Sequence, residues 1–206
     1  MKGLFMKIIL LRHGETIWNK ERRLQGIQDI DLAEDGILKI MVTAQHIART
    51  YPDTSLILSS PLKRAAQSAG IIANFLSYPA EDILLEPLFL ERNFGAGEGM
   101  TYEEALDAYP DSNYPGMETL DQLIHRAGCA IAKCVNTYSG HNLLVVAHGA
   151  IIKAVLVALT NGKIGYFDED VWIENASYCL LNREANDWKI SFHNASDAFQ
   201  KLPINS

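Results

Sequence analysis

Residues 7–14, which read KIILLRHG, decide the fold of this chain of 206 residues. The first five are almost continuously apolar, and such a run is typical of a strand that is buried on both faces of a parallel sheet. An arginine, a histidine and a glycine follow it directly. The segment therefore predicts a buried first strand whose carboxyl end carries polar side chains.

Working outward from this segment, the apolar pattern predicts strands that alternate with helices. The predicted strands cover residues 7–11, 55–59, 142–147, 177–182 and 188–193, with one or two short extended pieces within 83–90. The predicted helices cover residues 37–48, 61–76, 101–108, 119–138 and 150–160, with Pro61 opening the second and Thr119 capping the fourth. The last two strands predict a hairpin that turns near Asn186 and Asp187. This alternation predicts an α/β fold, a three-layer sandwich with a mostly parallel central sheet, helices on both faces and antiparallel strands at the edge.

Length and composition predict one globular domain over residues 1–206, with a small cap at about 95–118. The chain is 48% hydrophobic and 21% charged, and it carries no repeat, linker or low-complexity block. This composition excludes a disordered tail, a coiled coil and a disulfide-stabilised mini-protein.

Charge and hydropathy restrict the partners and the compartment. The net charge is −7, so no general affinity for nucleic acid or for an anionic membrane surface is expected. The apolar start is interrupted by Lys7 and lacks a small-residue cleavage site, and no later run is long enough to span a bilayer. We therefore expect a cytoplasmic protein with reduced cysteines and no zinc site, in which any anion site owes its positive charge to local residues.

Four side chains that suit a phosphate group follow three of the predicted strands. Arg12 and His13 follow the first strand, Arg64 follows the second at the start of a helix, and His148 follows the strand at 142–147. Ligands of open α/β sheets bind beyond the carboxyl ends of the strands, so these side chains should converge at one edge. Guanidinium forks match phosphate oxygens, and imidazoles add donors or a nucleophile. The sequence therefore predicts a phosphate site at this edge.

Two glycines accompany these residues. Gly14 and Gly149 lack a Cβ, which would allow the backbone to approach a ligand closely. Gly149 also precedes a predicted helix, whose N-terminus favours an anion. We expect both glycines at the binding site.

The ordered motifs of the chain resemble the histidine phosphatase superfamily, which includes cofactor-dependent phosphoglycerate mutases and many phosphatases. The matching segments are residues 11–16 with Asn19, residues 24–26, residues 59–64, Glu91 with residues 94–95 and 98–99, and residues 147–149.

This resemblance implies a role for each residue of the site. His13 would be the nucleophile that is phosphorylated on a ring nitrogen, Arg12, Arg64 and His148 would hold the phosphoryl oxygens, and Glu91 would protonate the leaving oxygen. The resemblance also implies that no metal ion and no cofactor is required. A further set of residues, Thr16, Asn19, Gln25 and Gly26, would line the pocket and contact the phosphate or the rest of the substrate.

The assignment of Glu91 depends largely on the resemblance, because a single glutamate is usually an ordinary surface acid. Glu98, Glu103 and Glu104 are the alternative carboxylates.

Three functions fit the motifs. Mutases of this family typically carry a longer insertion after the general acid, whereas here a short segment separates Glu91 from residues 116–119. We therefore predict hydrolysis of a small phosphate ester, with a phosphoglycerate mutase and a non-catalytic module that binds phosphorylated ligands as alternatives. The physiological substrate and the oligomeric state, a homodimer included, stay open.

The predicted cap departs from the family pattern. Gly97 stands where an aromatic residue often precedes the glutamate and glycine at 98–99. Tyr102, Tyr109 and Tyr114 lie in or after the cap helix, and from composition we expect Tyr102 and Tyr114 to contact the leaving group of the substrate.

Overall fold

A computed structural model describes residues 5–166, 173–184 and 187–193 of the chain. Within these residues, six strands form one sheet in the order β3-β2-β4-β1-β5-β6. The strands are β1 (Phe5–Arg12), β2 (Leu56–Ser59), β3 (Leu84–Leu85), β4 (Leu143–Ala147), β5 (Tyr178–Glu184) and β6 (Asp187–His193). Strands β1 to β4 run parallel to one another, while β5 pairs antiparallel with both β1 and β6. The predicted mostly parallel sheet is confirmed, and so is the antiparallel hairpin at its edge; Asn186, near the predicted turn, lies outside the described residues.

Helices cover both faces of this sheet, as predicted. They are α1 (Ile17–Lys20), α2 (Glu34–Thr50), α3 (Lys63–Phe75), α4 (Tyr102–Ala108), α5 (Leu120–Thr137) and α6 (Gly149–Leu159). Apolar residues of α2 and α3 pack in one layer with Ile9 and Leu11 of β1, and those of α5 and α6 pack in the other with Ile8 and Leu10. Each fully buried Leu or Ile stabilises the fold by about 1.5–3 kcal/mol. None of the described helices combines the length and the hydrophobicity that crossing a bilayer requires.

Local chemistry explains where the elements begin and end. Thr119 caps α5, as predicted, and the structure adds that its hydroxyl and the side chain of Gln122 form the reciprocal bonds of a capping box. A second capping box, between Thr16 and Asn19, starts the short helix α1, which the sequence did not predict. The helix after β2 begins later than predicted, because Leu62 is its extended N-cap and Pro61 lies before it.

Of the one or two short extended pieces predicted within 83–90, split by Pro87, the piece before the proline forms the two-residue strand β3. Pro87 begins a 3-10 turn that ends at Phe89, and proline has no N–H with which to continue a strand ladder.

The register of the sheet brings the polar carboxyl ends together. Arg12 pairs with Ala147 across β1 and β4, so His13 and His148 follow their strands side by side. The N–H of His13 donates to the carbonyl of Ala147 at 3.0 Å, and the N–H of Ser60 donates to the carbonyl of Val146 at 2.9 Å. Three strand ends are thus aligned to within one residue.

The segment that the sequence assigns to a cap is tied to the loop after α1. Arg23 forms an isolated antiparallel bridge with Thr101, and the N–H groups of Leu24 and Gly99 donate to the carbonyls of Met100 and Leu24, respectively. The helix α4 of the predicted cap therefore begins beside this loop.

Candidate active site

Two buried imidazoles form the centre of the site. The side chains of His13 and His148 are 2% and 0% exposed, and their ring centroids lie 5.0 Å apart. Nδ1 of His13 lies 2.6 Å from the carbonyl oxygen of Gly14. Since a carbonyl oxygen can only accept a hydrogen bond, Nδ1 carries the proton and Nε2 of His13 keeps a lone pair.

Arg64 joins the two rings. Its Nε donates to Nε2 of His13 and to Nδ1 of His148, both at 3.2 Å. Its two Nη atoms donate to the carbonyls of Gln28 at 2.6 Å and Gly26 at 2.7 Å. The side chain is 1% exposed, and these contacts hold its guanidinium in one orientation.

Arg12, which lines the same cavity as His13, has a hydrogen-bond donor without a partner among the described residues. Its Nη1 donates to the carbonyl of Ile173 at 2.6 Å. Its Nε is buried and finds no hydrogen-bond partner among the residues that the structure describes. A buried donor without a partner is costly, and an anion at this point would satisfy it.

Burial and neighbouring cations keep both imidazoles neutral. Burial, with the charges of Arg64 and Arg12, lowers the pKa of His13 well below its ordinary value of 6.5, and the pKa of His148 is lowered well below that value mainly by burial and Arg64. Burial also lowers the pKa of Arg64 to about 10, against the nearby carboxylate of Glu91. At neutral pH the site therefore presents two neutral imidazoles and two guanidinium cations.

Glu91 occupies the N-terminus of α6, which the sequence assigned to the ligand. Its Oε1 accepts from the N–H groups of Ala150 at 3.1 Å, Ile151 at 3.2 Å and Arg92 at 2.9 Å. Helix N-termini stabilise anions through their free N–H groups, so this carboxylate is fixed at the cavity wall.

Five of the six binding residues expected from the sequence divide between the cavity wall and the layer behind it. The cavity has a volume of about 300 Å³, and its lining includes Asn19, Gln25, Gly26 and Gly149. Thr16 lies behind this lining, and its buried hydroxyl donates to Oε1 of Gln25 at 3.0 Å. It is placed to orient Gln25.

Gly14, the sixth, is required by packing. A Cβ at this position would lie 2.7 Å from the carbonyl oxygen of Gly36 and 2.8 Å from a side-chain carbon of Ile40. The close approach that the sequence predicted is therefore to helix α2. At Gly149, by contrast, an added Cβ would lie 3.5 Å from the guanidinium carbon of Arg12, within the site.

The alternative carboxylates are engaged elsewhere. Glu98 accepts from the N–H groups of Ile27 and Phe94, both at 3.0 Å, and so ties the Gly26 turn to the cap. The side chain of Glu104 accepts from the N–H of Thr101, the N-cap of α4, and Glu103 is exposed on the same helix. Of the four candidate glutamates, Glu91 is the one that lines the cavity.

The aromatic residues of the cap have separate positions. Tyr102 lines the cavity and is 52% exposed. The ring of Tyr114 instead packs on Gly97, where an added Cβ would lie 2.9 Å from ring atoms, and it also meets Tyr109 edge to face at 5.6 Å. Gly97 thus leaves room for Tyr114, which explains the departure from the family pattern.

Sequence reasoning missed several lining residues. Lys153, Phe94 and Tyr166 line the cavity although no role was expected for them. Lys153 could have been found, because it lies four residues after Gly149 and so on the same face of α6. Tyr166 lies in the irregular segment after α6, for which periodicity offers no signal.

Comparisons with known proteins agree with this geometry. The chain matches the histidine phosphatase superfamily (branch 1) over residues 8–196, and it belongs to that superfamily. It is 37% identical over 189 residues to the uncharacterised phosphatase PhoE of Bacillus subtilis, covering 91% of this chain and 93% of that protein. It is 32% identical over 197 residues to a probable phosphoglycerate mutase, GpmB, of Enterobacter sp. (strain 638), covering 90% of this chain and 89% of that protein.

A solved structure shows the same fold. The phosphoserine phosphatase of Entamoeba histolytica, in a variant bound to phosphoserine, superposes with a TM-score of 0.78 at 25% identity, covering 92% of this chain and 97% of that one. The relatives thus include both phosphatases and mutase-like proteins.

Proposed function

We propose that this protein is a metal-independent phosphatase that hydrolyses a small phosphorylated metabolite through a phosphohistidine on His13. The observation that carries the proposal is the unprotonated Nε2 of His13, which lies in the cavity beside Arg64 while Nδ1 is held by the carbonyl of Gly14. A neutral imidazole in this tautomer is a nucleophile at neutral pH.

In the first step, Nε2 of His13 attacks phosphorus and the bond to the ester oxygen breaks. The lone pair of His13 Nε2 accepts a hydrogen bond from Nε of Arg64, so this bond must break before the attack. The N–H of Arg64 can then donate to a phosphoryl oxygen instead. The unpartnered Nε of Arg12 supplies a further donor for the equatorial oxygens. Phosphoryl transfer depends mainly on positioning and charge neutralisation, which these two guanidinium groups provide.

Glu91 completes both steps. In the first step a protonated Glu91 gives its proton to the leaving oxygen. The resulting carboxylate, which the N–H groups of α6 hold, then takes a proton from the water that attacks the phosphohistidine, and this restores the protonated form for the next cycle. The products are the alcohol and inorganic phosphate, and His13 is regenerated.

The form of the cap favours hydrolysis over mutase activity. Only a 3-10 turn of three residues at Gly95–Gly97 and the short helix α4 lie between Glu91 and residues 116–119, and Tyr102 at the cavity wall is half exposed. Water can therefore reach the phosphohistidine from this side. A protein that only binds phosphorylated ligands would have no need of a carboxyl group beside the anion, and this counts against the non-catalytic binding module.

The proposal is tested by p-nitrophenyl phosphate turnover in EDTA. Release of p-nitrophenol in EDTA is expected. Binding of inorganic phosphate without turnover of any phosphate ester would instead identify a binding module, and interconversion of 2- and 3-phosphoglycerate would identify a mutase.

Glu91→Gln should reduce turnover more for esters with poor leaving groups than for esters with good ones. With an alkyl phosphate, whose oxygen needs a proton to depart, kcat should fall by about 10²–10⁴-fold; p-nitrophenol needs little protonation and should lose far less. The measurement is kcat on both esters, with Glu103→Gln on the exposed face of α4 as the matched control. Equal losses on both esters would remove Glu91 from this role.

Tyr102→Ala and Tyr114→Ala should have different effects. Loss of the Tyr102 ring should raise KM for an aromatic phosphate ester about three- to tenfold, because an aromatic contact is worth about 0.5–1.5 kcal/mol. Loss of the Tyr114 ring opens a void over Gly97 and should lower the free energy of unfolding by about 2 kcal/mol or more. Steady-state kinetics and thermal unfolding separate the two; an unchanged KM in Tyr102→Ala would place the leaving group elsewhere.

A further inference from the structure

A cation outside the cavity lining holds the backbone that carries Glu91. Nη1 of Arg126, on α5, donates to the carbonyls of Leu88 at 3.0 Å and Leu90 at 2.7 Å, and Nη2 lies 3.3 Å from the carbonyl of Glu91 itself. One guanidinium therefore binds three carbonyls within four residues.

The same guanidinium is fixed from its other side by Glu118. Nε of Arg126 donates to Oε1 of Glu118 at 2.8 Å, and Nη2 donates to Oε2 at 2.7 Å. The two side chains are only 19% and 16% exposed, so this is a bidentate and largely desolvated pair. Glu118 is anchored in turn, since its N–H donates to the carbonyl of Asn93 and its carbonyl accepts from Nε of Arg92.

Glu91 is thus held at both ends. Its carboxylate is bound by the first N–H groups of α6, and its backbone is bound by Arg126 of α5. Helices α5 and α6 pack in the same layer. Arg126 on α5 therefore fixes the Glu91 backbone relative to α6, the helix whose N–H groups bind the Glu91 carboxylate.

We propose that Arg126, oriented by Glu118, is a positioning residue that sets where Glu91 presents its carboxyl group to the leaving oxygen. This inference rests on the proposed role of Glu91 as proton donor. Arg126 does not line the cavity, so it acts through Glu91 and makes no contact with the substrate.

Lysine cannot replace arginine here. The contacts use three nitrogen atoms in a planar fork, which reaches two carboxylate oxygens and three carbonyls together; an ammonium group is a single point with three donors. Arg126→Lys keeps the charge and loses this geometry.

The test compares two esters in Arg126→Lys. We expect kcat for phenyl phosphate to fall about tenfold or more, because protonation of a poor leaving oxygen depends on the placement of the acid, while kcat for p-nitrophenyl phosphate falls less than about threefold. KM should stay within about twofold for both, since the phosphate-binding side chains lie on other elements. A purely structural loss would lower both rates together.

Two further variants serve as a second probe and a control. Glu118→Gln removes the charge that orients Arg126 and should show the same dependence on leaving group in smaller degree. Lys133→Gln removes a different ion pair of α5, the one between Lys133 and Glu86, and leaves the contacts of Arg126 in place. It should show no dependence on leaving group.

The outcomes are distinguishable. Equal losses on both esters in Arg126→Lys, or the same pattern in Lys133→Gln, would overturn the positioning role. If the loss of kcat in Glu91→Gln does not depend on the leaving group, Glu91 is not the proton donor, and the proposed function is refuted at that point together with the inference about Arg126. A normal response of Glu91→Gln with an unaffected Arg126→Lys would refute the inference about Arg126 alone.

Discussion

His13→Ala is expected to abolish turnover, with kcat falling on the order of 10⁴-fold or more, because it removes the atom that would receive the phosphoryl group. The measurement has two parts. The first is steady-state hydrolysis of p-nitrophenyl phosphate. The second is rapid quenching with a ³²P-labelled ester, which should trap a protein-bound phosphate in the wild-type chain and none in the variant.

The stability of the trapped adduct identifies the nucleophile. A phosphoramidate on His13 should be lost in acid and survive in base, whereas a phosphoserine resists acid. An acid-stable adduct would move the assignment to a hydroxyl group. His46→Ala is the matched control, since His46 hydrogen-bonds to Tyr178 away from the cavity and its loss should leave the adduct intact.

Arg64→Lys is expected to lower kcat/KM by about 10²–10³-fold, the loss that follows removal of one donor to a developing oxyanion. The charge remains, but a single ammonium group cannot bond to His13 and His148 and also to the carbonyls of Gly26 and Gln28. The carbonyls that lose their buried donor are expected to let the Gly26 turn move away from the cavity.

Kinetics, inorganic phosphate affinity and thermal unfolding together test this prediction. Phosphate should bind more weakly to Arg64→Lys, in parallel with the loss of kcat/KM. Lys63→Gln is the control, because Lys63 is the preceding residue of α3 and its side chain is exposed. A kcat/KM within about threefold of wild type in Arg64→Lys would show that the guanidinium geometry has no part in the reaction.

Much of the fold follows from local patterns. The apolar runs at residues 8–11 of β1 and 143–147 of β4 are continuous because both faces of each strand are covered. The helix N-cap at Thr119 needs only residues within one helical turn. The short extended piece at β3 was predicted, but its length could not be, because how far Leu84 and Leu85 extend a ladder depends on a neighbouring strand and on the turn that Pro87 begins.

The candidate site divides in the same way. Arg12, His13, Arg64 and His148 could be brought together from the sequence, because parallel strands place their carboxyl ends at one edge. Their hydrogen bonds could not be predicted from the sequence. The tautomer of His13 depends on the carbonyl oxygen of Gly14, 2.6 Å away, and the placement of the Glu91 carboxylate depends on the first turn of α6.

The sequence by itself determined the layers, the order of elements and the edge at which the cationic and imidazole side chains meet, since these depend on periodicity and chain direction. Only the tertiary structure decided that Gly14 is small because of α2, that Tyr114 fills the space over Gly97, and that Arg126 holds the Glu91 backbone. Those contacts join residues far apart in the chain, and they exist only once packing has fixed the distances between elements.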